Sequence, residues 1–115
     1  MSRHRSAAVQ LRESALVFGA LGEATRLRLV ARLCADGPLS ITHLSEGAGV
    51  TRQAITKHLE TLGEAGLVRC SRRGRERIWE FEPKRLGKAR RCLDQISLEW
   101  DAAMTRLKAF VEEKA

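Results

Sequence analysis

The chain has 115 residues, of which 43% are hydrophobic and 30% charged; 21 Lys or Arg against 14 Asp or Glu leave a formal net charge of +7. That length suits one domain whose core must be aliphatic, because there are only three Phe, two Trp and no Tyr. No run approaches the roughly 18 to 20 apolar residues of a membrane span and Met1 to Gln10 holds no secretory apolar stretch, so a cytosolic protein without membrane contact is expected.

Residues 1–9 read as a flexible arm. Leu11, Ala15 and Phe18 share one face of a helix over 10–20 that should stop near Gly19 to Gly22. A second helix is expected at Ala24 to Ala35, with Leu27, Val30, Ala31 and Cys34 as its apolar stripe, widened by Leu29 and Leu33. Asp36-Gly37-Pro38 ends it. A short helix from Ile41 to Glu46 then turns at Gly47-Ala48-Gly49, and Thr51 is placed to cap a helix that runs to Ala65, where Gly66 stops it.

Beyond Gly66 the apolar period changes to two, over a segment spanning 67–82. With Arg73-Gly74 as the turn, the expected pairs are Arg72 with Arg75, Cys70 with Arg77 and Val68 with Trp79. Val68, Cys70, Trp79 and Phe81 then share one face; Arg69, Ser71, Glu76 and Glu80 share the other, with Ile78 as its apolar exception. Pro83 opens a last helix over 83–113, in which Leu86, Ala89, Leu93, Ile96, Trp100, Ala103, Leu107 and Phe110 keep a 3,4 spacing. At ~1.5 Å per residue such a helix is about 45 Å long, more than one small domain covers, so its seam calls for a second chain.

Residues 41–65 fit a helix-turn-helix, with Leu44, Ala48, Gly49, Val50 and Ile55 at the positions that need an apolar contact, a small residue, a turn glycine and two more core contacts. His58 interrupts the pattern by standing at an expected apolar position. A hairpin directly downstream makes the predicted fold a winged helix-turn-helix, mainly α with a β-hairpin wing. The charge supports a polyanionic partner: residues 52–91 carry twelve Lys or Arg against five acids, whereas nine of each leave the remainder neutral. On the second helix of the motif, Ile55, Leu59, Leu62 and Gly66 fall within roughly 60° and mark the buried side. Glu60 and Glu64 would repel phosphate. The first two turns therefore supply the candidate DNA contacts Arg52, Gln53, Thr56 and Lys57, with Thr51 as cap and optional phosphate contact. Arg72, Arg73, Arg75 and Arg77 are the candidate contacts of the wing. Arg69 is set apart because it can pair diagonally with Glu76 or Glu80. The run from Lys84 to Arg91 reads as solvated flanks of the last helix that add to the general field.

Four stretches, Leu21-Gly22-Glu23-Ala24-Thr25-Arg26-Leu27-Arg28-Leu29-Val30, Thr56-Lys57-His58-Leu59-Glu60-Thr61-Leu62, Glu64-Ala65-Gly66-Leu67-Val68 and Arg73-Gly74-Arg75, closely resemble the ArsR-type winged-helix repressors over about residues 15–82. The resemblance implies a homodimer joined through its first and last helices, with Leu11, Ala15, Phe18, Leu93, Ile96, Trp100, Ala103, Leu107 and Phe110 as candidate interface residues. It further implies a double-stranded operator of two-fold symmetry and a repressing role. His58 matches the family's histidine and is read as half-buried support.

Metal-sensing relatives carry cysteines on the helix matching Ile41 to Glu46, or His and carboxylate ligands on the last helix. Here the first segment has His43 and no Cys, and the last helix has acids but no His, so no metal or other cofactor is expected. The effector stays unassigned. Cys34, Cys70 and Cys92 are too widely spaced for a disulfide framework and are expected as reduced core thiols. Cys92 near Lys88 and Arg91 keeps open a thiol-redox-responsive repressor of the same fold. A sequence-blind architectural DNA binder is the other alternative. An enzyme is not expected: the chain has three histidines and no nucleophile elbow, Walker or dinucleotide loop.

Overall fold

The computed structural model describes residues 6–114 and contains, in chain order, α1 (Ala7–Leu21), α2 (Ala24–Asp36), β1 (Leu39–Ser40), α3 (Ile41–Ser45), α4 (Arg52–Glu64), β2 (Val68–Arg73), β3 (Glu76–Phe81) and α5 (Pro83–Lys114). Four of the helices start on a side chain that accepts a free amide of the first turn: Ser6 from Val9 (3.2 Å), Glu23 from Arg26 (2.9 Å), Ser40 from His43 (3.2 Å) and Thr51 from Ala54 (3.0 Å). The Glu23 carboxyl is held below its usual range mainly by the Arg26 backbone N–H, then by that of Thr25. α5 begins differently. Pro83 occupies the first helical position, where a missing N–H is harmless, and the Glu82 carboxylate accepts from Lys84 N at 3.3 Å.

Helix α1 starts at Ala7 with Ser6 as its cap, so residues 6–9 belong to it and not to a flexible arm; the remainder of that expected arm, residues 1–5, lies outside the described residues. The short strand β1 was not expected, because two residues carry no readable period. It pairs antiparallel with β3 (Leu39 with Trp79, Ser40 with Ile78), giving a three-stranded sheet in the order β1-β3-β2.

The hairpin has its expected faces but not its expected register. Val68 pairs with Phe81, Cys70 with Trp79, Arg72 with Arg77 and Arg73 with Glu76, so the two-residue turn is Gly74-Arg75 instead of Arg73-Gly74. Gly74 has φ +64° and no non-glycine residue among those described has positive φ. A hairpin turn with positive φ at its first central residue wants glycine there, which places Gly74 first and Arg75 second. Because the shift is by two residues, the side-chain partition survives.

The core is aliphatic and continuous: Val17 of α1, Leu33 of α2, Leu44 of α3, Ile55, Leu59 and Leu62 of α4, and Leu67 before the wing are all essentially inaccessible. Trp79 joins them from the sheet. On α2 the buried stripe is Leu29, Val30 and Leu33, whereas Leu27, Ala31 and Cys34 face outward. That corrects the expected stripe by about one position around the helix. It also removes Cys34 from the core, and Cys70 is exposed too because β2 leaves the core after Val68. Cys92 is half-buried.

Helix α4 ends in a Schellman cap: Leu67 N donates to Leu62 O and Gly66 N to Gly63 O, both at 3.0 Å, with Gly66 at φ +77°. A Cβ built on Gly66 would run into the Arg85 side chain of α5, with Nε 2.9 Å away. Gly66→Ala is therefore expected to lower stability by about 1–2 kcal/mol from backbone strain alone. Arg85→Ala on that background should recover only the steric part, which thermal unfolding of both variants would measure.

Only the start of α5 packs on this core; Ala89 is its one buried residue among those described. From Leu93 onward its apolar side chains are uncovered, Trp100 at 65% and Leu107 at 53% exposure. The radius of gyration is 19.2 Å, against about 13 Å for a compact chain of this length.

Candidate nucleic-acid interface

Helix α4 is fixed by its buried side and by its ends, and this leaves its first two turns facing out. Arg52, Gln53, Thr56, Lys57 and Glu60 line one shallow surface depression. The side chains of Arg52, Gln53 and Lys57 make no ion pair or hydrogen bond among the described residues. The Thr56 hydroxyl donates to Arg52 O at 3.0 Å, so toward a ligand it can only accept. Val50, expected as a core contact, is 40% exposed, directly after Gly49 with its φ of +72°.

A small polar cluster anchors this helix to α2. Arg26 donates from Nε to Ala20 O at 2.7 Å, and its Nη1 lies 3.3 Å from His58 Nδ1; Glu23 Oε2 stands 3.8 Å from the same nitrogen. His58 is thus half-buried support, with 26% of its side chain exposed. The residue missed in the sequence is Arg26: its place three positions after the capping Glu23 marks a helix start, but nothing in the spacing reveals a partner 32 residues away.

In the wing, Arg69 is committed. It donates from Nε to Glu80 at 2.6 Å and from Nη1 to Glu82 at 3.0 Å, with Glu80 directly opposite it in the ladder. The hydrogen bond to Glu80, then the charges of Glu80 and Glu82, hold the guanidinium proton more tightly than usual. The other four arginines differ among themselves. Arg77 lies over the Trp79 ring, 5.2 Å from its centre, and sits directly across from Arg72, a like-charged pair that repels. Arg73 is on the opposite face beside Glu76, and Arg75 is at the tip. No ion pair holds Arg72, Arg73, Arg75 or Arg77 among the described residues, so the wing offers cations on both faces and at its end.

Nothing comparable exists for metal or membrane. Among the described residues no group of three or more His, Cys, Asp or Glu is gathered to hold a metal ion, and no helix is long and apolar enough to cross a membrane.

Comparison with known proteins points the same way as this geometry. Residues 21–71 match the helix-turn-helix domain family, which takes in α2, β1, α3, α4 and the first four residues of β2. The HTH-type transcriptional regulator Rv2034 of Mycobacterium tuberculosis is 34% identical over 96 residues, covering 83% of this chain and 85% of that protein. An ArsR-like transcriptional regulator from Rhodococcus sp. RHA1 superposes with a TM-score of 0.76 at 35% identity, over 87% of this chain and 93% of the other. The homodimeric winged helix-turn-helix DNA-binding domain of Mb0332 from Mycobacterium bovis, a possible ArsR-family regulator, shares the fold at 22% identity (TM-score 0.63; 88% of this chain, 91% of that one). These relatives are transcriptional regulators and not enzymes. With a helix-turn-helix whose second helix faces outward, a basic hairpin directly after it and relatives matched across most of their length, the chain belongs to the ArsR-type winged helix-turn-helix transcriptional regulators.

Proposed function

We propose that the protein is a homodimeric repressor that acts in the cytoplasm by occupying a palindromic operator. The observation that carries this reading is the first half of α4, where Arg52, Gln53 and Lys57 stand together, exposed and unpaired beside a wing with four arginines that no ion pair holds among the described residues. In the major groove Gln53 can pair with adenine and Arg52 or Lys57 with guanine, while Thr51 and Thr56 accept or sit at phosphate. Arg72, Arg73, Arg75 and Arg77 meet backbone phosphates or the minor groove. The repelling Arg72–Arg77 pair supports that assignment, since an intervening phosphate would turn the repulsion into attraction.

Self-association is supported by the uncovered seam of α5 and by the exposure of Leu11 and Ala15 on α1. Leu93, Ile96, Trp100, Leu107 and Phe110 are all about half exposed or more in one chain, and the Mycobacterium bovis domain of the same fold is a homodimer. Phe18 contributes less than its neighbours, because it already packs against its own core, and Ala103 is half-buried. A two-fold dimer presents two α4 helices, and a palindrome mirrors them.

The test separates helix from wing. An operator recovered from genomic fragments and a random duplex of equal length are titrated at several salt concentrations. Gln53→Ala and Lys57→Ala are expected to cost about 1–3 kcal/mol on the operator and little on the random duplex. Arg73→Ala and Arg75→Ala should weaken both and lower the slope of log affinity against log salt by about one each. Equal loss on every sequence from Lys57→Ala, with discrimination abolished by Arg75→Ala, would reverse the assignment. Equal wild-type affinity for operator and random DNA would leave the sequence-blind architectural reading.

A further inference from the structure

Helices α1 and α5 enclose a cleft of about 630 Å³, within the size range of small-molecule sites. We propose that this cleft binds a small amphipathic organic anion, a carboxylate-type head on an apolar or aromatic body. Its two ends differ in chemistry. Lys88 and Arg91 line it on successive turns of α5, and neither has a carboxylate partner among the described residues. Leu11 and Ile96 supply apolar wall, each more than half exposed. Between the two ends stand the half-buried Cys92 and the buried Ser14.

The one acid on the lining is Glu99, two turns beyond Arg91 and engaged by Gln95 Nε2 at 3.4 Å. It leaves the Lys88–Arg91 end positive, which gives the ligand a direction: head toward Lys88 and Arg91, body along Leu11 and Ile96. The cleft is formed within one chain, so the proposal does not require self-association; Leu11 and Ile96 also belong to the proposed dimer seam, so the ligand's apolar body and a partner copy would share that wall.

Calorimetric titration of the full chain with 2-naphthoate and with the neutral 2-naphthamide tests this. We expect saturable naphthoate binding with a Kd below about 1 mM, at least tenfold weaker binding of naphthamide, and at least tenfold loss for naphthoate in Lys88→Gln/Arg91→Gln. In a Cys34→Ser/Cys70→Ser background, naphthoate should also slow the modification of Cys92 by a thiol reagent while naphthamide does not. The last measurement uses no variant of the cationic end and stands if the double variant fails to fold. Absence of naphthoate binding at 1 mM, equal affinity for the amide, or an unchanged Kd in a folded double variant would each overturn the proposal. DNA affinity of the same wild-type preparation is measured alongside, so that an empty cleft in a DNA-binding protein counts against this site and not against the regulator.

Discussion

Leu107→Glu is expected to turn a dimer into a folded monomer and to lower operator affinity by about 10²- to 10⁴-fold. Leu107 is 53% exposed in the single chain, in the part of α5 whose large apolar side chains are uncovered. A charge there is harmless to one chain, yet in a two-fold interface it appears twice near the axis and must leave water. The monomer retains one reading helix and one wing and loses the second as an effectively intramolecular partner, from which the affinity range follows. Sedimentation at micromolar concentration and circular dichroism check both halves: the variant should sediment as a monomer with wild-type helicity. A dimer that survives the substitution, or a wild-type protein that is already monomeric, overturns the seam assignment and with it the expected palindrome.

Two neighbouring positions of α4 should behave in opposite ways. Leu59 is fully buried and packs within the core, so Leu59→Ala should cost about 2–5 kcal/mol, a large share of the ~5–15 kcal/mol that holds a domain of this kind together. The melting temperature should fall by roughly 10–20 °C, and DNA binding, on operator and random sequence alike, should vanish as the chain unfolds. Lys57, two residues earlier, is exposed; its replacement should change stability by no more than about 0.5 kcal/mol while weakening operator preference. Thermal unfolding followed by titration at 10 °C separates the two. A Leu59→Ala protein that melts with the wild type would show that the buried side of α4 has been misassigned.

The parts of this fold that were readable from residues are those whose signal is local and repeated. The buried side of α4, the period-two faces of the wing and the long helix α5 each repeat a pattern over enough residues to outvote exceptions. Where the deciding fact was a single residue or a distant partner, the reading slipped. Register depended on which turn position Gly74 takes, the existence of β1 on two residues, and the buried side of α2 on which of two overlapping apolar stripes the sheet and α4 cover. Leu27, Ala31 and Cys34 satisfy helical spacing as well as Leu29, Val30 and Leu33 do; only tertiary packing chooses. The candidate interface was more legible than its support. Arg52, Gln53, Lys57 and the wing arginines could be selected by charge and angle, whereas Arg26 reaching His58 and Arg85 lying over Gly66 are long-range contacts that no local pattern encodes.

A single residue, Glu82, separates the last strand of the wing from the first turn of α5, and its amide is itself tied to Leu67 O at 2.8 Å. With Arg85 resting on Gly66 at the end of α4, helix α4, the wing and the long helix meet at one corner. Two such chains joined along α5 would work as a caliper whose jaws are set by the angle between helices and not by the reach of a tether. The span between half-sites would then be a property of the protein's backbone, and DNA of the wrong spacing would have to bend to be gripped.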